Sequence, residues 1–219
     1  MTGVESQELY RYTRVQSMVG QRIIFSPICL FELFFIERCD IMRVFIGCSS
    51  YNSINLKYKE LAQSVSELLA IRGDKLVFGG TDAGLMNKCF QTFRYYGCKV
   101  KAVSDVKYID DLKGMDYDRE TVTPTTFERC KELYLSSELI VILPGGLGTL
   151  SEIFGMIEEK RTREDKKDII IFNYEGYYDN ILNQIKKEQE EGFIGDDLSK
   201  LIIIINSLDE LKEYLERRN

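Results

Sequence analysis

From Met42 onward, short apolar runs alternate with amphipathic stretches. The runs, at 43–47, 75–78, 99–103, 139–143, 169–172 and 201–205, are bounded by polar residues and glycines and read as six strands. Between the first two, Tyr58, Leu61, Ala62, Val65, Leu68 and Leu69 recur at the three- and four-residue spacing of a helix with one buried face. That helix runs over 55–72 and is stopped by Gly73. A second helix places Leu85, Met86, Cys89, Phe90 and Phe93 on one face and stops at Gly97. Residues 104–122 read as a long polar connection. Thr123-Pro124 then opens a helix to about 136, with proline at its first position. Further helices are expected over 149–160 and 177–191, and Ser207-x-x-Glu210 is a capping box for a last one.

Strands alternating with helices in this way predict an α/β fold, a parallel sheet with helices on both faces. At 219 residues the chain is expected to form one domain, over 42–219. Residues 1–41 lack the alternation and read as an N-terminal extension. Its apolar stretch, 23–36, is too short to span a bilayer, and Pro27 and Glu32 interrupt it. No membrane partner is expected.

Charge and composition narrow the chemistry. A formal charge of −6 argues against a nucleic-acid surface, which carries a basic excess. The six cysteines, Cys29, Cys39, Cys48, Cys89, Cys98 and Cys130, form no C-x-x-C pair and read as reduced thiols of a cytoplasmic protein. The chain has no histidine, which excludes Ser–His–Asp and Cys–His catalysis and any His-ligated metal within it. No metal and no cofactor are expected. Acid–base work would fall to Asp, Glu, Lys, Tyr or Cys.

Against that background one segment stands out, Leu143-Pro144-Gly145-Gly146-Leu147-Gly148-Thr149-Leu150-Ser151-Glu152. Three glycines between a strand and a helix let the backbone turn tightly and approach a ligand, while free N–H groups and the positive helix end favour an anion. The backbone amides of Gly146 to Thr149 are thus candidates to hold a phosphate, and Glu152, about one turn inside the helix, to act on what the phosphate carries. Taken singly, Thr149-x-x-Glu152 and Thr125-x-x-Glu128 also read as capping boxes. Tyr177 and Tyr178 read as packing. The glycine loop lacks the Lys-Ser/Thr ending of a nucleoside-triphosphate loop.

Several landmarks recur in a known family. Residues 144–152 fit the motif P-G-G-x-G-T-x-x-E, and Glu128-Arg129 sets an arginine 23 positions before Glu152. Gly79-Gly80 with Gly84-Leu85-Met86 looks like a G-G-G-x-x-G-L-M turn, and Val44-Phe45-Ile46-Gly47-Cys48-Ser49-Ser50 is similar to the family's opening strand and loop. Gly176-Tyr177-Tyr178-Asp179 and Gly192-Phe193-Ile194 match later landmarks. Over 42–216 the chain resembles the LOG (Lonely Guy) family, whose members are often labelled lysine decarboxylase-like.

The resemblance implies a Rossmann-like, doubly wound sheet and a homodimer. It implies hydrolysis of a nucleoside 5′-monophosphate, including cytokinin ribotides, to free base and ribose 5-phosphate. Arg129 and Glu152 occupy the positions of the catalytic pair. Substrate contacts are expected from Gly47, Ser49 and Gly80, from the loop residues Gly145, Gly146, Leu147, Gly148 and Thr149, and from Asp111, where the family has an acidic contact. Arg129 is expected to bind substrate and to hold Glu152 ionised. The chain departs from the pattern at Cys130, where the family has lysine, at Thr81 in place of a glycine, and at Glu158-Glu159-Lys160 in place of a tryptophan-containing segment. No cytokinin preference is therefore assigned. The alternative is a non-catalytic carrier of a nucleotide or phosphorylated cofactor, as related folds with similar glycine loops are. A pyridoxal-phosphate decarboxylase lacks a lysine placed for a Schiff base.

Overall fold

Five of the six apolar runs form strands close to their expected limits, because each is buried on both sides. The computed structural model describes residues 41–195 and 197–218, so the extension, apart from Ile41, and with it Cys29 and Cys39, lies outside the described residues. In chain order the elements are β1 (Arg43–Gly47), α1 (Leu56–Ile71), β2 (Lys75–Phe78), α2 (Gly84–Tyr95), β3 (Val100–Asp105), β4 (Arg119–Thr123), α3 (Thr126–Ser136), β5 (Leu139–Ile142), α4 (Leu147–Arg163), β6 (Asp168–Phe172), α5 (Asp179–Glu190), the short α6 (Leu198–Leu201), β7 (Ile203–Ile205) and α7 (Leu208–Arg217). Single 3₁₀ turns occupy Ile109–Leu112 and Tyr174–Gly176.

The sheet has seven strands in the order β4-β3-β2-β1-β5-β6-β7, all parallel. Strand alternation divides the core into two layers. Val44, Ile46, Leu76, Phe78 and Val141 pack under α1, α2 and α7, through Leu61, Leu69, Phe90, Phe93 and Leu211. Phe45, Val77, Val103, Ile140 and Ile142 face the other way, toward Leu133 and Tyr134 of α3 and Ile153 and Met156 of α4. The fold is thus Rossmann-like and doubly wound. Strand order reverses between β1 and β5, and the crevice at their carboxyl ends is where such sheets bind ligands.

Four expectations need correction. The connection 104–122 hides β4, an edge strand bonded to β3 alone and exposed at Arg119 and Glu120; its polar pattern is that of a half-solvated edge. Pro124 is not the first helical residue: Thr125 caps α3, accepting from Glu128 N at 3.3 Å, so the second capping-box reading holds there. Leu201 closes the turn α6 instead of opening a strand. Helix α4 starts at Leu147, so Thr149 lies inside it and the Thr149-x-x-Glu152 capping box does not exist.

Candidate active site

Helix α3 is anchored where β3 ends. The Thr126 hydroxyl donates to Oδ2 of the buried Asp105 at 2.9 Å, fixing the helix start over the strand terminus. Arg129, one turn on, then folds back across the strand ends. Its Nε donates to Val103 O and its Nη2 to Gly79 O, both at 3.1 Å. Glycine at 79 is what lets Arg129 lie there, because a Cβ would run into its Nη2.

The third arm of the guanidinium reaches α4. Arg129 Nη1 lies 3.4 Å from Glu152 Oε1, so neighbouring helices bring the two residues together. That is longer than the ~2.7–2.9 Å of a tight charge-assisted bond. Arg129 is therefore held by two carbonyls and only loosely by the carboxylate. Glu152 is 6% exposed, and its Oε2 is buried and takes no hydrogen bond from the described residues. An unpaired buried carboxylate oxygen is costly, and such groups call for an explanation beyond packing.

The electrostatics correct one expectation. Arg129 does not keep Glu152 at an ordinary carboxylate pKa. Burial raises it, the guanidinium offsets only part of that, and the carboxyl is pushed up to about 7. Burial likewise pushes the Cys130 thiol up to about 12, which removes it as a nucleophile. Cys130 instead packs α3 on α4: its Sγ lies 3.9 Å from Glu152 O, and a Cβ at Gly155 would stand 2.9 Å from it.

The glycine loop faces the switch point. Gly146 caps α4 without a side-chain bond, and Leu150 N closes onto Gly146 O at 3.0 Å. The N–H groups of Leu147, Gly148 and Thr149 precede that bond and have no carbonyl within the helix. Leu147 points its side chain to solvent, and Gly148 is exposed. Thr149 is buried beneath Gly145, at which a Cβ would overlap its hydroxyl. Gly145, Gly146 and the mostly buried Ser49 share the wall of a cleft of ≈ 290 Å³ with Tyr58 and Tyr177.

The remaining expected residues spread around this centre. Gly47 ends β1, where its carbonyl accepts from Leu143 N at 2.8 Å. Gly80 follows β2 with Leu112 packed against it, and the exposed Asp111 precedes Leu112 on the 3₁₀ turn. The structure thus joins Arg129 to Glu152 and Ser49 to the glycine loop. The ion pair is not part of the cleft wall; it lies toward β2 and β3. Sequence reading missed Gly79, whose role follows only from the path of Arg129, although it stood in the glycine turn. It also took Tyr177 for packing, whereas its hydroxyl donates to Gly145 O at 2.8 Å.

Comparison with known proteins bears on the family and the fold. The family model described as "Possible lysine decarboxylase" matches residues 85–215. A cytokinin riboside 5′-monophosphate phosphoribohydrolase of Arabidopsis thaliana is 31% identical over 174 residues, covering 79% of this chain and 81% of the relative. Another from the same plant is 29% identical over 175 residues, covering 80% and 81%. Among solved structures, the molybdenum cofactor carrier protein of Chlamydomonas reinhardtii superposes with a TM-score of 0.59 at 15% identity, covering 81% of this chain and 98% of that one, a likeness of fold alone. Matched by the family model over more than half its length and sharing the doubly wound fold, the chain belongs to the LOG family, the proteins also described as possible lysine decarboxylases.

Proposed function

We propose that this protein hydrolyses the N-glycosidic bond of a purine nucleoside 5′-monophosphate, with or without an N6 substituent, to free base and ribose 5-phosphate. The observation that carries the reading is the meeting of Arg129 and Glu152 at 3.4 Å, with one carboxylate oxygen unpaired and a phosphate-sized array of free amides at the start of the same helix. Glu152 lies five positions after Leu147, about 7–8 Å along the helix, the scale of a sugar and its 5′ arm.

As the base leaves, positive charge grows on the ribose. The Glu152 carboxylate stabilises that charge in a site from which water is largely excluded, and its free oxygen orients the ribose hydroxyls or the attacking water. Arg129 binds the substrate and offsets part of the cost of ionising Glu152. The amides of Gly146 to Thr149 hold the phosphate. Gly47, Ser49, Gly80 and, at the edge, Asp111 complete the nucleoside side. The step needs water alone and no metal or cofactor.

A homodimer belongs to the same reading. Phe127 on α3 and Leu147 on α4 are 85% and 87% exposed, and Phe154 on α4 is also exposed, apolar side chains on the two helices that carry Arg129 and Glu152, which a second copy would cover. A cytoplasmic location is supported by the described cysteines, all free thiols. Among the described residues no helix is long and apolar enough to cross a membrane.

A panel of nucleoside 5′-monophosphates, assayed for ribose 5-phosphate alongside the matching unphosphorylated nucleosides, tests the reading. Ribose 5-phosphate from a monophosphate is the expected product. Equal cleavage of nucleoside and monophosphate would deny the loop its phosphate role.

A further inference from the structure

The glycine loop is itself held from behind by two consecutive tyrosines. Tyr178, fully buried, donates its hydroxyl to Leu143 O at 2.8 Å, and Tyr177 donates to Gly145 O at 2.8 Å. The two bonds have different consequences. In a trans peptide unit the C=O and the N–H point in opposite directions. Drawing the Gly145 carbonyl toward Tyr177 therefore turns the N–H of Gly146, in the same unit, away from the tyrosine. The unit after Leu143 belongs to Pro144, which has no N–H. The next backbone N–H, that of Gly145, is already taken up by the Tyr178 hydroxyl, so Tyr178 fixes the strand end and the loop's entry and leaves no free donor for an anion.

Two adjacent glycines leave the 145–146 peptide little steric bias of its own. Flipped, it would present a carbonyl oxygen where an anion is to sit. Gly146 is also the cap of α4, so its N–H stands next to the free amides of Leu147, Gly148 and Thr149.

We propose that Tyr177 is a positioning residue for phosphate: its hydroxyl sets the Gly145–Gly146 peptide so that the Gly146 amide joins the anion cradle. The inference rests on the reading of this loop as a phosphate site.

Tyr177→Phe tests it with little risk to the fold, since the ring is 45% exposed and its edge contacts with Tyr58 and Tyr178 need no hydroxyl. Losing one neutral hydrogen bond should raise KM for the monophosphate about threefold to tenfold. The inhibition constant of ribose 5-phosphate should rise in parallel, with kcat within about twofold, because the contact is equal in ground and transition states. Tyr178→Phe, which deletes a buried bond, should lower the melting temperature and leave KM within about twofold. A KM and an inhibition constant within about twofold of wild type in Tyr177→Phe overturn the inference, whatever happens to kcat. Binding of inorganic phosphate by calorimetry separates the two readings. Should the wild type release no product yet bind phosphate, the hydrolase reading fails, and weaker phosphate binding by Tyr177→Phe still supports the positioning role, whereas equal binding overturns it.

Discussion

Gly79 and Arg129 occupy one space: a methyl group on Gly79 would overlap Nη2 of the guanidinium and stand 3.3 Å from its Cζ. The same arginine nitrogen is bonded to the Gly79 carbonyl, so the backbone at the end of β2 is both the floor and the anchor of the candidate catalytic arginine. Gly79 has no positive φ, and its backbone would accept alanine.

Gly79→Ala therefore displaces Arg129 and presses lightly on Met86, whose Sδ would stand 3.2 Å from the new methyl group. We expect the variant to fold and to lose on the order of 10²-fold in kcat/KM, the scale of a deleted preorganised contact. Comparison of its melting temperature and turnover with wild type checks this; turnover equal to wild type would show that the position of Arg129 is immaterial.

Glu152→Gln removes a charge and keeps the shape. Hydrolysis should fall by on the order of 10²-fold or more. Stability should move the other way, with a sign set by burial. Below pH 4.5 the carboxyl is protonated in folded and unfolded chains alike; between 4.5 and about 7 the folded state holds a proton the unfolded chain has lost. The stabilisation attached to that proton is thus lost as pH rises through about 7. Glutamine does not titrate, so the variant should match wild type near pH 4.5 and exceed it at pH 8 by on the order of 1–3 kcal/mol. Denaturant melts at the two pH values measure the difference, and a gap that shrinks toward pH 8 would contradict the assignment.

The same titration should appear in the rate. If the ionised carboxylate does the work, kcat/KM falls on the acid side with a midpoint near 7. Removing the cation in Arg129→Ala should raise the carboxyl's midpoint further, followed by carbon-13 NMR of labelled glutamate. A midpoint that drops in that variant would mean that the two side chains do not interact in solution.

Replacing the exposed Phe127 and Phe154 with glutamate should convert a dimer to monomers in sedimentation, while leaving the fold intact. A wild-type protein that sediments as a monomer would remove the dimer from the account. A chain beginning at Met42 should retain full hydrolysis, because every residue assigned to the site lies beyond it.

The parts of the fold legible beforehand were those where burial dictates residue type. Strands β1, β2, β5 and β6 are apolar on both faces and could be little else. β4 escaped notice because Arg119, Glu120 and Thr121 sit at an edge, where water supplies half the partners and polar residues are at home. The spacing of Arg129 and Glu152 was readable through the family resemblance. Their loose contact, the unpaired oxygen of Glu152 and its raised pKa were not, since each depends on how deeply α3 and α4 bury the pair. Tyr177 acts through a backbone carbonyl, which leaves no mark in side-chain type, and the need for glycine at 79 shows only once the path of Arg129 is known.

Release of free base from an N6-modified AMP, followed in one experiment by wild type and Glu152→Gln, tests the central claim most directly. The account predicts base and ribose 5-phosphate in equal amounts from the wild type and, from the folded variant, a rate lower by on the order of 10²-fold. Saturable binding of the nucleotide without product, or equal rates from the two proteins, would contradict it.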